Sequence, residues 1–167
     1  MDSKRAHDIK HRNKPNDNFY TPRKLAAKLI SLVPLETDDL VLDAALGEGA
    51  FFDNFPDYVN ADCCDPNLDL DFLQYSRNVD WIITNPPYSN LDAWFVKAFA
   101  ISKKGVAFLL GYINITPRRL EIANNSGFGV TKIHLCKVFQ WFGISAFVIF
   151  EKGKPNIIEY DRIVWHG

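Results

Sequence analysis

The sequence predicts an α/β domain in which a mostly parallel sheet carries helices on both faces. Three observations support this. Short apolar runs alternate with stretches of helical spacing from residue 21 onward. The run "VDWIITN" (79–85) stays apolar without alternation, as a strand buried on both faces does. The chain then closes with "TKIHLCKVF" and "SAFVIFEKG", near enough in sequence to pair antiparallel across "QWFGI".

Each element has a local reason. Residues 1–17 carry Lys4, Arg5, Lys10, Arg12 and Lys14 with little apolar surface, which predicts a flexible basic arm. In "TPRKLAAKLISLV", Thr21 suits an N-cap and Pro22 the first helical position, while Leu25, Leu29, Leu32 and Val33 share a face that Pro34 terminates. Leu40 to Leu42 is the first strand, followed by a glycine-containing turn and a short helix; "YVNADCCD" is the second strand. A short third strand is expected at Asp71-Phe72-Leu73, and "VDWIITN" is the fourth. Helical spacing in "LDAWFVKAFAISKK" groups Leu91, Trp94, Phe95, Ala98 and Phe99. "GVAFLLGYI" is the next strand, and the tail "NIIEYDRIVWHG" reads either as an extra edge strand or as an arm that packs back.

A chain of 167 residues suits a single domain, here residues 18–167. A net charge of −1 gives no global pull toward nucleic acid or a membrane, so any such affinity is local. Cys63, Cys64 and Cys136 form neither a disulfide framework nor a CxxC metal pair, and no metal is expected. No run approaches the ~20 apolar residues of a membrane span, and the N-terminus lacks an apolar leader. A cytoplasmic protein with no membrane partner is expected.

In an open α/β sheet, ligands bind at the carboxyl ends of the strands, and the unusual residues fall there. In "DAALGEG", Asp43 ends the first strand, and Gly47 and Gly49 let the backbone turn sharply and approach a ligand. Such a turn also occurs as an ordinary strand-to-helix connection. The spacing is neither GxGxxG nor a P-loop, which favours a cofactor without phosphate. After the second strand, Asp62 and Asp65 are each placed to accept from a ribose diol, as solvated loop acids also would be. Asp71 beside Phe72 pairs an acceptor with an apolar wall, an arrangement suited to adenine.

"NPPY" follows the fourth strand. Pro86 and Pro87 remove backbone donors and fix φ, so Asn85 and the Pro86 carbonyl form a rigid acceptor pair suited to both protons of a planar exocyclic amine. Preorganised acceptors stabilise the positive charge that grows on such a nitrogen as it attacks an electrophile. Tyr88 supplies an aromatic face on which an extruded base stacks.

With these residues in place, the sequence resembles the Rossmann-like, S-adenosylmethionine-dependent amino-methyltransferases, specifically the adenine-N6 DNA methyltransferases. "NPPY" looks like their catalytic motif and "DAALGEG" like their cofactor motif; Ala44 stands where many relatives carry proline. The segment before the first helix, Phe19-Tyr20-Thr21-Pro22, is similar to the one that lies beside the methionine end of the cofactor in that family. The resemblance implies a seven-stranded sheet with a reversed last strand, Asp65 (with Asp62 as runner-up) at the ribose, and Asp71 at the adenine ring. It makes Trp141 or Phe142 a second stacking face. The expected reaction is methyl transfer to the N6 amine of adenine in DNA, with RNA adenine or a protein glutamine as alternatives and a noncatalytic methyltransferase-like subunit as a third. Arg118 and Arg119 lie near the active edge, where they are candidates for phosphate contacts. No separate target-recognition domain is expected after the core, which leaves a role for a specificity subunit or a homo-oligomer.

Overall fold

The computed structural model describes residues 20–139 and 142–163. The basic arm, Phe19 and Trp141 therefore lie outside the described residues. The chain forms helix α1 (Arg23–Ile30), strands β1 (Leu40–Asp43), β2 (Asn60–Cys63) and β3 (Val79–Thr84), helix α2 (Leu91–Ile101), strand β4 (Ser102–Gly111), helix α3 (Pro117–Asn125), and strands β5 (Phe128–Cys136) and β6 (Ser145–Lys152). They build a single sheet in the order β2-β1-β3-β4-β6-β5. β2, β1, β3 and β4 run parallel. β6 is antiparallel to both β4 and β5, so the reversed strand and the closing antiparallel pair are present.

Among the described residues the sheet has six strands, not the seven expected. The missing one is the short strand read at Asp71-Phe72-Leu73. There the Asp71 carboxylate accepts from Leu73 N–H at 3.0 Å and bends the chain into a 3-10 turn, Phe72–Gln74. Phe72 drops into the core against Trp94, with ring centroids 4.5 Å apart, instead of extending the sheet. β2 thus remains an edge.

Both faces are covered because the strands alternate their side chains between two cores. Ala26, Leu29 and Ile30 of α1 pack with Val41, Trp81 and Ile83 on one face. On the other, Trp94, Phe95 and Phe99 of α2 and Leu120 of α3 pack with Leu42, Ile82 and Phe108. α1 begins one residue later than its sequence suggests. Pro22, with ψ 132°, is its N-cap, and Thr21 is left outside the helix for a different partner.

Of the two readings of the tail, the arm that packs back is the one formed. Ile157 N–H donates to the Val130 carbonyl (3.0 Å), Val130 N–H to Asn156 Oδ1 (3.0 Å), and Asn124 Nδ2 to Tyr160 Oη (2.8 Å). The crossing is possible because Gly129 lacks a side chain: a Cβ there would stand 2.2 Å from the Lys154 carbonyl oxygen and 2.7 Å from Pro155 C. Gly129→Ala is therefore expected to lift the tail and lower stability by about 1–3 kcal/mol, the scale of overpacking. Chemical denaturation, with hydrogen exchange across residues 153–163, checks this; wild-type protection there would refute it.

Candidate active site

The site forms where β1 and β3 end side by side. Asp43, the last residue of β1, is buried, and its carboxylate accepts three bonds: from Thr84 Oγ1 (2.7 Å), Ala45 N–H (3.3 Å) and Phe52 N–H (3.3 Å). Ala45 N–H also donates to Thr84 Oγ1 at 3.1 Å. One carboxylate thus ties the end of β3 to both ends of the turn 44–52. Asp43 does not line the cavity described below; it holds the turn that does.

Burial raises the Asp43 carboxyl from its ordinary 3.8 to about 6, against the opposing pull of the Thr84, Ala45 and Phe52 hydrogen bonds. Its folded-state pKa is therefore above its unfolded one. Between those two values the folded chain binds more protons, and its stability falls as pH rises through about 4 to 6. Relative to Asp43→Asn, which has no such titration, wild type is expected to lose about 1–3 kcal/mol between pH 4 and pH 7. Denaturation at both pH values tests it; parallel pH profiles would count against it.

The turn itself closes on glycines. Gly47 (φ 52°) and Gly49 (φ 75°) occupy the left-handed region. Gly47 N–H donates to Asp65 Oδ2 at 3.1 Å, and the Tyr20 ring lies 3.5 Å from where a Cβ of Gly47 would sit. The segment before α1 and the acid after β2 thus meet on one glycine.

Together these residues enclose a cavity of about 150 Å³. Tyr20 and Thr21 line it from the segment before α1; Leu46, Gly47, Glu48 and Phe51 from the turn; Asp65 from the end of β2; Asn85 and Pro87 from the end of β3; and Trp94 from α2. Among the described residues, two carboxylates line it and no Lys or Arg does. Arg23 lies nearby but donates to the Glu48 carbonyl and pairs with Asp53 at 2.6 Å.

Not every residue singled out in the sequence gathers here. Ala44 is buried and Pro22 caps α1; neither is among the lining residues. Asp62 stands apart, accepting from Tyr75 Oη (2.7 Å) and Arg77 (3.0 Å). Asp71 is exposed at its 3-10 turn, and Phe72 lies in the core behind Trp94. Trp94 was legible only as one member of a helical apolar stripe, and nothing in that periodicity separates a wall residue from a core residue.

Asn85 borders a second, smaller cavity of about 20 Å³, walled by Tyr88, Leu109, Val138, Phe139, Phe142 and Ser145. Pro86 is buried, and Pro87 holds an extended ψ of 142° that delivers Tyr88 into the 3-10 turn opening α2. Tyr88 Oη accepts from Gly111 N–H (3.1 Å), so the ring is fixed to the end of β4. Asn85 Nδ2 donates to Thr21 Oγ1 at 3.3 Å, turning the amide oxygen away from Thr21. Arg119 is inward-facing, bonded to Asp92 Oδ1 (2.8 Å), the Asn114 carbonyl (2.9 Å) and Asn114 Oδ1 (3.2 Å); Arg118 pairs with Asp92 at 2.8 Å and points to solvent.

A six-stranded sheet with a reversed strand beside β4, and a glycine turn after the strand that begins it, define a methyltransferase-like α/β fold. Among solved structures it is similar to the Synechocystis magnesium protoporphyrin IX methyltransferase with bound S-adenosylmethionine: TM-score 0.62, 13% identity, 77% of this chain and 76% of that one covered. It is also similar to the N-methyltransferase NodS from Bradyrhizobium japonicum (TM-score 0.62, 12% identity, 79% and 96% covered). A third is the precorrin-6y C5,15-methyltransferase from Geobacter metallireducens (TM-score 0.59, 12% identity, 84% and 96% covered). No family model and no curated protein matches the sequence. Among the described residues, no helix is long and apolar enough to cross a membrane, and no cluster of metal-ligating side chains occurs.

Proposed function

We propose that this protein is an S-adenosylmethionine-dependent methyltransferase acting on the exocyclic N6 amine of adenine in DNA. One observation carries the reading: Asn85 stands on the wall shared by the two cavities, one suited to the cofactor and one lined by aromatic rings.

The larger cavity fits the cofactor on chemistry. Its described lining offers the Glu48 and Asp65 carboxylates, which suit a ligand bearing ammonium and sulfonium charge. Asp65 is the acceptor placed for a ribose diol, and Trp94, Leu46 and Phe51 are apolar walls for a purine. When bound, the cofactor supplies a methyl group whose carbon–sulfur bond breaks as the carbon–nitrogen bond forms, the electron pair leaving with sulfur.

The chain's residues act on the acceptor. Tyr88 and Phe142 offer aromatic faces to the base at the smaller cavity, whose 20 Å³ must widen to admit it, with Trp141 as the other candidate face. The Asn85 amide oxygen and the Pro86 carbonyl accept the two N6 protons and stabilise the charge that develops on nitrogen. One of those protons then passes to solvent. Residues 18–167 serve as a single catalytic unit, and the basic arm and Arg118 contact phosphates. DNA is the expected partner; a second copy of the chain or a specificity subunit is compatible with this scheme.

The experiment is direct: incubate the protein with labelled S-adenosylmethionine and DNA, RNA or protein pools, and identify the product. N6-methyladenine in DNA is expected, and label recovered only in RNA or in glutamine would overturn the DNA reading. A short or relaxed target is expected, with binding that weakens steeply as salt rises. Strict modification of a single site of about six or more base pairs, the mark of dense base contacts, would contradict this.

A further inference from the structure

We infer that Ile113 is an apolar wedge that enters the base stack of duplex DNA beside the extruded adenine. The inference rests on the proposed action on adenine in DNA and adds the element that opens the duplex.

Ile113 sits at the centre of a 3-10 turn, Tyr112–Asn114, that leaves the end of β4 at the smaller cavity. The turn starts at Gly111, whose N–H is bonded to Tyr88 Oη; the Phe142 ring lies 3.8 Å from where a Cβ of Gly111 would sit. Ile113 is 88% exposed, with Tyr112 at 54% and Ile144 at 56%. Tyr112 N–H donates to the Ile144 carbonyl at 2.8 Å, so the turn carrying Ile113 lies against the segment entering β6, next to the Gly111 and Ser145 ends of the strands that border the smaller cavity. A single exposed aliphatic residue is unremarkable on a protein surface. Two exposed isoleucines and a tyrosine on adjoining segments beside a site are not, since apolar surface left in water favours burial against a partner.

The turn is also held rigid. Arg119 donates to the Asn114 carbonyl and side-chain oxygen while pairing with Asp92, and its side chain is only 17% exposed. Arg119, expected from sequence to grip phosphate, instead braces the turn that presents Ile113. Arg118, whose side chain is 65% exposed, shares the same Asp92, so two guanidiniums stand on one carboxylate beside the turn. An apolar tip on a rigid turn, flanked by surplus positive charge, matches a stacked, anionic duplex. Swinging a base out leaves a gap in the stack and loses stacking and pairing, and apolar side chains inserted between base steps offset that loss.

The test uses Ile113→Ser, which at 88% exposure leaves the core untouched. The full chain is given a duplex containing an adenine that wild type methylates, with 2-aminopurine beside that adenine to report unstacking. The substitution is expected to lower the fluorescence rise and to slow methyl transfer on the paired duplex about 10-fold or more, the loss expected when unstacking is no longer offset. On single-stranded DNA, and on a duplex with an abasic site opposite the target, Ile113→Ser is expected to match wild type. Equal slowing on all three substrates, or no slowing on the paired duplex, would overturn the inference. So would conversion of a dimer to a monomer by Ile113→Ser in sedimentation, which would make the turn a protein interface. If wild type methylates none of the three substrates, the adenine-in-DNA reading fails, and the inference with it.

Discussion

Replacing Asn85 by alanine is expected to cut methyl transfer about 100-fold or more while S-adenosylmethionine affinity stays nearly intact, the signature of losing one preorganised acceptor. The amide is oriented before any substrate arrives: Nδ2 is committed to Thr21 Oγ1, and the backbone beyond it is stiffened by Pro86 and Pro87. Tyr88→Ala is expected to behave alike, because its ring walls the smaller cavity and is absent from the lining of the larger one. Calorimetry measures the affinity, and single-turnover kinetics the rate. Near-normal turnover of Asn85→Ala would contradict the assignment, and an equal loss of affinity and rate would place the amide on the cofactor instead.

Asp43→Ala is expected to lower S-adenosylmethionine affinity about 100-fold or more, since the Phe52 N–H and the buried Thr84 hydroxyl lose their acceptor, at roughly 1–3 kcal/mol each, and the turn they anchor loosens. The route is indirect. Asp43 holds Ala45, Phe52 and Thr84, and through them the turn carrying Gly47, Glu48 and Phe51 into the cavity. Calorimetry with the cofactor and with its demethylated product tests this, and thermal melting confirms that the variant is folded. Wild-type affinity in a folded Asp43→Ala chain would refute it.

The two stretches read as motifs, "DAALGEG" and "NPPY", are the ones the structure brings together, and local chemistry explains why they were legible. A positive φ at Gly47 and Gly49 and two fixed prolines are backbone requirements that only particular residue types meet, so composition and spacing betray them. The parallel strands were legible for a similar reason, since burial on both faces leaves a continuous apolar run such as Val79 to Thr84. The three acids in and after β2 were harder to separate. Asp62, Asp65 and Asp71 look alike in sequence, yet only Asp65 reaches the cavity, because a side chain's reach depends on how the chain from 65 to 74 folds into successive turns.

The sequence by itself determined the alternation of strands and helices, the closing antiparallel pair, the glycine turn and the stiff proline pair, all of which arise from neighbours near in sequence. Only the tertiary structure decided the rest. The edge strand at 71–73 is absent because Phe72 gains more by packing against Trp94 than three residues gain by pairing with β2. Thr21 leaves its capping role to bond Asn85, 64 positions away, and Arg119 turns inward to brace Asn114. Trp94 becomes a cavity wall. Each of these depends on a partner distant in sequence or on the shape of the folded surface, and no pattern confined to a window of residues carries that information.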